Sequence, residues 1–467
     1  MKHNCMLLFA IMPFLFLSSC TTSRYPEQTW LRYATPEEAG WSSEKLQDAR
    51  DYFDQIDSAA VMVVYDGAVV AAWGDVERRY LCYSVRKSFM SAMYGIYVGK
   101  GRIDLNKTLA DLKIDDVPPL NESEKQAKVV DCLTSRSGVY HDAANEMPGM
   151  TENRPKRGSH TPGEFWWYNN WGFNVLCTIF EQETNKKFFE EFRKRIAGPL
   201  RMQDFRLELT NYQFQPDRSV HPGYPFRMSA RDMARFGQLY LRKGRWDNQR
   251  IIPEKWVDES TAIHTAFQYP PFVFAGYGYL WWVGIPRDFK YEDMSWSQRY
   301  EGFYSARGAG EHSIDILPRE NIVFVNRVDS YKQKGISQEQ HLKLLDMILK
   351  AKTTEPKRHP KLIPLQDAPK RTDIIKLDSN TLGKYVNQYN SGNYKIIVTK
   401  LNDQLLIEFA VKTEFCKFRL LPLSTTSFIA EDVEVPVSFE LDSNGKPLCI
   451  TIEFAPDNKI IAKPLLR

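Results

Sequence analysis

The feature that most limits the possible folds is the position of the strand-like segments, which form two groups separated by helical sequence. Residues 61–65 and 68–73 are apolar runs joined by Asp66-Gly67, a strong signal for a β-hairpin. Strand-like patterns return at 277–283, 313–317 and 322–328. Helical patterns cover 42–57, 84–98 and 337–350. We therefore predict an α/β (α+β) domain in which both groups of strands build one sheet, with a helical subdomain beside it.

The last hundred or so residues have a different pattern. Residues 352–371 are rich in Lys and Pro and are predicted to be a linker. Short alternating runs follow at 395–401, 404–409, 415–420, 435–441 and 448–454. Asn402-Asp403 and Asn444-Gly445 lie where hairpin turns are expected. Residues 372–467 are therefore predicted to form a small antiparallel β domain, either a sandwich or a barrel.

The N-terminus has the features of an export signal. Lys2 and His3 precede an apolar run at 6–17 that is too short to span a bilayer, so residues 1–19 are predicted to be a signal peptide. Residues 17–20, Leu-Ser-Ser-Cys, resemble the bacterial lipobox, which implies cleavage before Cys20 and lipidation of Cys20. Thr21 stands where an Asp would favour retention in the inner membrane. We expect an exported lipoprotein on the periplasmic face of the outer membrane, with 20–40 as lipidated Cys and tether. A plain signal peptide with a chance Cys is the alternative.

Composition excludes several classes of protein. The 62 Lys and Arg residues nearly balance 58 Asp and Glu, and the net charge of +4 is not concentrated in one block, which excludes a nucleic-acid-binding surface. The only long apolar run is at the N-terminus, which excludes a protein with several membrane spans. The cysteines after Cys20 form no Cys-x-x-Cys pair, so free thiols are expected and no metal or cofactor is implied. A disulfide between Cys416 and Cys449 is the alternative within the C-terminal region.

The first candidate for chemistry is Ser84-Val85-Arg86-Lys87, at the start of the helix predicted for 84–98. Residues three apart lie on one face of a helix, so the amine of Lys87 is expected beside the hydroxyl of Ser84. Apolar neighbours would make Lys87 lose its proton more readily, so that it can act as a base. The spacing alone is weak evidence, because Ser42/Lys45 and Ser443/Lys446 share it in a predicted helix cap and a predicted hairpin turn.

A second motif, Tyr168-Asn169-Asn170, follows in an aromatic-rich stretch. Ser-x-x-Lys, then Tyr-x-Asn, then a Gly-rich segment leading into a strand resembles the serine β-lactamase and penicillin-binding-protein superfamily. The resemblance implies that Ser84 is the nucleophile, that Lys87 and Tyr168 exchange protons with it, and that Asn170 positions the substrate. It also implies a β-lactamase/transpeptidase-like fold, with an antiparallel sheet flanked by helices.

The third motif departs from that family. Where most of its members have Lys-Thr-Gly, this chain has Arg307-Gly308-Ala309-Gly310. The glycines allow a close backbone approach, and Gly308, Ala309 and Gly310 are predicted to line the substrate site, with Ala309 giving a second oxyanion N–H. The Lys that would hold a β-lactam carboxylate is missing, and Arg307 either replaces its charge or points away.

Two further stretches narrow the branch within the family. Residues 228–237 and 276–282 resemble β-lactamase-related serine hydrolases such as 6-aminohexanoate-dimer hydrolase and the esterases of the family. The hydrolase domain is predicted over 41–351, and the C-terminal domain resembles the small lipocalin-like appendages of some relatives. The aromatic residues that these motifs carry either wall the cleft or pack in the core: Trp166, Trp167, Trp171, Tyr277, Tyr279, Trp281 and Trp282.

The motifs predict a serine hydrolase that forms an acyl-enzyme with a small-molecule ester or amide, or with a cell-wall-derived substrate. One alternative is a D-Ala carboxypeptidase or β-lactamase, which requires a cation such as Arg307 for the substrate carboxylate. Another is a catalytically silent lipoprotein that binds cell-wall fragments. A Ser-His-Asp triad with His312 and Asp315 is disfavoured, because residues three apart on a strand point to opposite faces.

Overall fold

The Asp66-Gly67 pair turns the chain between two strands inside a large sheet. Both residues have a positive φ, 45° and 77°, which is the backbone of a tight hairpin turn. The flanking strands Ser58–Tyr65 and Ala68–Gly74 pair antiparallel, as the sequence predicts. Ser58–Tyr65 also pairs with Ile322–Val328, which joins the N-terminal and C-terminal groups of strands.

The computed structural model describes residues 24–146, 148–267, 274–284, 302–332, 334–369, 371–392, 394–409, 417–455 and 458–465. Within these ranges the strands form a ten-stranded sheet and a separate closed barrel. Neighbouring strands of this sheet pair antiparallel, with one exception. Leu31–Tyr33 and Ala68–Gly74 lie side by side and are parallel. In order across the sheet, the strands are Thr265–Ala266, Phe274–Tyr277, Trp282–Gly284, Tyr304–Gly308, His312–Leu317, Ile322–Val328, Ser58–Tyr65, Ala68–Gly74, Leu31–Tyr33 and Leu362–Pro364.

Helices cover both faces of the sheet. One face carries the larger core, built with the helices Arg86–Val98, Asn170–Thr184 and Ala230–Leu241. The other face carries Ser43–Gln55 and Gln338–Lys350. Gly237 lets its helix lie against the sheet, since a Cβ there would be 2.5 Å from Cγ1 of Val323. The shorter helices are Val129–Leu133, Phe188–Phe192, Glu254–Ser260 and Ser379–Lys384, and the two-stranded ladders are Tyr80–Leu81 with Arg227–Met228, Gln213–Gln215 with Ser219–Gly223, and Arg245–Trp246 with Gln249–Arg250.

The C-terminal β domain is a closed antiparallel barrel. Phe418, Phe428, Phe439 and other apolar side chains that point inward form its buried core. Its strands are Asn387–Asn390, Lys395–Leu401, Gln404–Phe409, Lys417–Pro422, Ser427–Ala430, Val435–Leu441, Pro447–Ala455 and Asn458–Pro464. The predicted class is thus confirmed: a mixed α/β (α+β) domain, with helices on both faces of its sheet, and a small antiparallel β domain.

Some segments differ from the sequence-based expectation. The single strand predicted at 277–283 is a hairpin, because the chain turns at 278–281, where Leu280 has a φ of 64°. Leu362–Pro364, inside the segment predicted as a linker, pairs with Leu31–Tyr33 at the edge of the sheet. Cys82, Cys132, Cys177 and Cys449 are free thiols. The predicted signal peptide, Cys20 and Cys416 lie outside the described residues. No described helix is both long and apolar enough to cross a membrane.

Candidate active site

Ser84 lies on a short turn between a strand and a buried helix. The strand Tyr80–Leu81 leads into a single 3-10 turn at Tyr83–Val85, and the helix Arg86–Val98 follows directly. Lys87 is in the first turn of that helix. Nζ of Lys87 is 2.6 Å from Oγ of Ser84. The three-residue spacing in the sequence therefore brings the amine and the hydroxyl into hydrogen-bond contact.

Lys87 is buried whereas Ser84 is partly exposed. The Lys87 side chain lies against the rings of Tyr168 and Phe173, with Nζ 4.8 Å from each ring centroid. Burial, with a smaller contribution from the neighbouring Arg86 charge, lowers the pKa of Lys87 well below its usual 10.5. A neutral amine is therefore favoured beside the Ser84 hydroxyl, and it can accept the hydroxyl proton.

Tyr168 reaches Ser84 from the start of a second helix. The helix Asn170–Thr184 is capped by Asn169, whose side chain accepts a hydrogen bond from the Trp171 N–H at 3.1 Å. This cap fixes the entry of the chain and with it Tyr168. Burial raises the pKa of Tyr168 to about 12, against the opposite effect of its hydrogen bond with Ser84. The phenol is therefore protonated at neutral pH, and its hydroxyl is placed to relay a proton.

Aromatic rings surround Tyr168. Its ring stacks on Trp282, with centroids 5.7 Å apart and 25° between the planes. Phe173 and Tyr277 contact it edge-on at 5.0 and 6.2 Å, and Trp166 lies at 6.5 Å. The sequence left open whether the aromatic residues wall the cleft or pack in the core, and the structure shows some in each place. Trp166 and Trp282 adjoin Tyr168 and are partly exposed, whereas Tyr277, Trp171 and Trp281 are fully buried.

Asn170 is the first residue of its helix and is 4% exposed. Its Nδ2 lies 3.2 Å from Sδ of Met150. Met150 belongs to a 3-10 turn at Pro148–Met150, in the loop that precedes Tyr168. The amide of Asn170 therefore has a weak sulfur partner that a stronger acceptor on a substrate can replace.

Gly308 brings the end of a sheet strand against the segment that carries Ser84. A Cβ on Gly308 would lie 2.4 Å from the carbonyl oxygen of Cys82 and 3.3 Å from the backbone nitrogen of Ser84. Only glycine allows so close an approach. The strand ends there, and Ala309 and Gly310 continue in a 3-10 turn in which Gly310 has a φ of 76°. Gly308 is thus next to Ser84, whereas Gly310 lies against Val328 and Gly335.

Arg307 points to the opposite face of the sheet. Its Nη1 lies 2.9 Å from Nε2 of His341 and 3.4 Å from Oδ1 of Asp315, and its Nη2 pairs with Glu311. Ala306, one position earlier, faces the core on the Ser84 side. Alternation along the strand therefore removes Arg307 from the Ser84 site.

His312 and Asp315 do not contact each other. His312 is fully buried, and its ring centroid is 5.7 Å from that of Tyr83. Asp315 instead pairs with His341, at 2.7 Å between Oδ2 and Nε2. The sequence analysis did not identify His341, although a signal was present: it shares the apolar stripe of its helix with Leu344, Leu345 and Ile348, a position where a buried His needs a polar partner. Among the described residues, no His, Cys, Asp and Glu side chains are grouped to hold a metal ion.

Comparison with known proteins shows the family of this fold. The profile of the Beta-lactamase family matches residues 46–328, which is more than half of the chain. A Bacillus anthracis protein provisionally named a 6-aminohexanoate-dimer hydrolase is similar in structure, with a TM-score of 0.51 and 19% identity over 70% of this chain and 88% of that one. The search of curated protein sequences gave no match.

Two further solved structures have TM-scores below 0.5. An octameric penicillin-binding protein homologue from Pyrococcus abyssi aligns with a TM-score of 0.48 and 16% identity over 90% of this chain and 99% of that one. A protein from Bacteroides dorei DSM 17855, provisionally named a beta-lactamase, aligns with a TM-score of 0.49 and 16% identity over 67% of this chain and 99% of that one.

Proposed function

The chain belongs to the beta-lactamase family, and we propose that it is a serine hydrolase that forms an acyl-enzyme with a carboxylic ester or amide. The observation that carries the proposal is the 2.6 Å contact between Lys87 Nζ and Ser84 Oγ, on a buried Lys and a partly exposed Ser. A nucleophilic hydroxyl needs a base within hydrogen-bond reach, and a neutral amine is such a base.

In the proposed acylation, Oγ of Ser84 attacks the substrate carbonyl carbon while Lys87 takes the hydroxyl proton. The backbone N–H groups of Ser84 and Ala309 stabilise the oxyanion that forms. When the C–O or C–N bond breaks, Tyr168 gives a proton to the leaving group and regains one from Lys87. Water then attacks the acyl-enzyme through the same groups, and the acid leaves with Ser84 restored.

The assignment of Lys87 as base follows from the directions of the two pKa shifts. Burial lowers the pKa of Lys87 well below 10.5 and raises the pKa of Tyr168 to about 12. Burial therefore favours the neutral amine of Lys87 over its charged form, and the Tyr168 phenol is protonated at neutral pH. The amine accepts the first proton, and the phenol donates to the departing group.

The surroundings of the site favour a substrate with no carboxylate beside the scissile bond. Arg307, the candidate to hold such a carboxylate, is engaged with Asp315 and His341 on the other face of the sheet. Ala306 presents only a methyl group on the Ser84 side. Trp166 and Trp282, both partly exposed, provide apolar ring surface near Tyr168. A neutral ester or amide with an apolar acyl group fits these residues better than a penicillin or a D-Ala-terminated peptide.

A matched pair of substrates tests this proposal. Two p-nitrophenyl esters with the same aromatic acyl group, one with an α-carboxylate and one without, are compared on the chain lacking residues 1–20. We expect faster hydrolysis of the neutral ester, no activity in Ser84→Ala, and no acylation by penicillin. Equal hydrolysis by wild type and Ser84→Ala would refute the proposal. Faster hydrolysis of the ester that carries the α-carboxylate would instead support the β-lactamase or carboxypeptidase alternative.

We also propose that the chain is an exported bacterial lipoprotein, held at the periplasmic face of the outer membrane by lipid on Cys20. The lipobox-like sequence at 17–20 supports this. Expression of the full chain with a radiolabelled fatty acid in a diderm host should give a labelled membrane-bound product, and Cys20→Ala should give none. Equal labelling of the two would overturn the assignment.

A further inference from the structure

The strand that leads into Ser84 is part of an isolated two-stranded ladder. Tyr80–Leu81 pairs antiparallel with Arg227–Met228, and the Cys82 N–H donates to the Phe226 carbonyl at 2.8 Å. Ser84 is the third residue after the Tyr80–Leu81 strand of this ladder. A ladder this short has few bonds of its own, so the groups that hold its ends decide where Ser84 lies.

Arg79, immediately before the ladder, is bound to the C-terminal barrel. Its side chain is 6% exposed, Nε lies 3.0 Å from the Asp432 carboxylate, and Nη2 lies 2.5 Å from Oε2 of Glu431. The Asp432 side chain is also 6% exposed. Removing one partner from a buried ion pair leaves the other charge without compensation, so a change at either residue should disturb this contact.

Arg227, on the other strand of the ladder, makes a second contact with the barrel. Its guanidinium lies 4.2 Å from the ring centroid of Phe418, and Nη1 donates to the Lys417 carbonyl at 3.0 Å. Nε of the same side chain donates to the hydroxyl of Tyr331 at 3.1 Å. Tyr331 packs against both the main core and the barrel core. Arg227 on one strand, and Arg79 immediately before the other, therefore both contact the barrel.

A buried arginine of the large sheet also bonds to this ladder. Nη2 of the buried Arg327 donates to the carbonyl of Tyr80 at 2.7 Å and lies 3.3 Å from that of Leu81. Arg327 is on the strand Ile322–Val328, so it ties the ladder to the centre of the sheet. The segment that leads to Ser84 is thus bonded to the sheet through Arg327 and to the barrel through Arg79.

We propose that the C-terminal barrel is a positioning element for the nucleophile, acting through Arg79 and Arg227 on the ladder that carries Ser84. The inference rests on the proposed function, because it assigns the barrel a role in acylation. The barrel interior is filled by its own apolar side chains. Its contacts with the ladder, rather than a ligand held inside it, therefore carry this role. Arg79 and Arg227 are positioning residues, since they act through the Tyr80–Leu81 strand.

The test compares two acid-to-amide changes in the barrel. Asp432→Asn removes the charge that faces Arg79, whereas Glu453→Gln removes a barrel charge paired with Lys459 at 3.0 Å and serves as the matched control. The readouts are the second-order rate of Ser84 modification by a fluorophosphonate, and kcat and KM for the neutral ester, at a temperature where both variants are folded. We expect about a 10-fold or greater loss of acylation rate and kcat with an unchanged KM in Asp432→Asn, because small misplacements of a reacting group are costly. Glu453→Gln should match wild type.

Phe418→Leu is the second variant, for the case that Asp432→Asn does not fold. It keeps an apolar side chain but removes the ring that faces Arg227, and it should also lower kcat without raising KM. Wild-type rates in the folded variants would overturn the inference and leave the proposed function intact. A wild-type protein that gives no fluorophosphonate adduct would instead overturn the proposed function, and this inference with it.

Discussion

Tyr168 stacks on Trp282 with 5.7 Å between ring centroids, and the interaction of its hydroxyl with Ser84 partly opposes the increase in its pKa caused by burial. The stack holds the ring in place, so the Tyr168 hydroxyl can be removed without displacing the ring. We expect Tyr168→Phe to lower kcat by about 10²- to 10⁴-fold, the usual contribution of a positioned acid or base. Hydrolysis of the neutral ester at saturating concentration measures this loss.

Tyr97→Phe is the control for that change. The Tyr97 hydroxyl bonds to Glu191 near the far end of the helix Arg86–Val98. Its removal should cost about 1.5–3 kcal/mol of stability, as expected for a hydrogen bond to a charged group, and leave kcat unchanged. Equal loss of kcat in the two variants would mean that the helix, and not the Tyr168 hydroxyl, is responsible.

The burial of Lys87 predicts a particular pH profile. Only the neutral amine accepts the Ser84 proton, so the acylation rate should rise with pH through the Lys87 pKa and then level off. Because burial lowers that pKa well below 10.5, the plateau should be reached well below pH 10.5. The rate of ester hydrolysis under kcat/KM conditions gives the profile. A limb centred near 10.5 would show a solvated Lys87 and contradict the assignment.

Lys87→Arg tests whether residue 87 acts as a base, because it keeps a positive charge but removes the ability to accept a proton. Arginine stays protonated at every accessible pH, so it cannot accept a proton. The variant should lose acylation by fluorophosphonate while retaining a positive side chain next to Ser84. Substantial acylation in Lys87→Arg would assign the base to another group.

Gly308→Ala tests the close approach between the sheet and the Ser84 segment. The added Cβ would lie 2.4 Å from the Cys82 carbonyl oxygen and must push the strand or that segment aside. We expect about a 10²-fold lower acylation rate, the cost of a displacement of about 1 Å. In the control, Gly383→Ala, the Cβ would meet no atom within 4 Å, so the rate should not change. Equal rates in Gly308→Ala and wild type would show that the approach is not required.

The buried group around Asp315 predicts a stability effect that is separate from activity. Asp315→Ala removes the fully buried carboxylate that pairs with His341 and Arg307, which should lower the free energy of unfolding by about 3–5 kcal/mol in urea titrations. Asp54→Ala removes an exposed partner of Arg50 and should cost less than about 0.5 kcal/mol. Similar costs in both variants would contradict a buried ion pair.

The elements around Ser84 could be predicted from the sequence because their signals are local. The Asp66-Gly67 turn and the Ser-x-x-Lys spacing depend on neighbouring residues, and the structure places both as expected. The side to which Arg307 points could not be settled, because it depends on strand register and on His341, which is distant in the sequence. The barrel strands Asn387–Asn390, Ser427–Ala430 and Asn458–Pro464 were also missed, since their alternation is short and partly polar. The Arg79 contact with Asp432 joins residues more than 350 positions apart, and local patterns carry no information on it.

The most direct test of the central claim is intact-protein mass spectrometry after exposure to a fluorophosphonate, on wild type and Ser84→Ala lacking residues 1–20. The account predicts one adduct per wild-type chain and none in Ser84→Ala, because only a hydroxyl beside the Lys87 amine is activated. An adduct of equal yield in both proteins, or none in wild type, would contradict the assignment of Ser84 as the nucleophile.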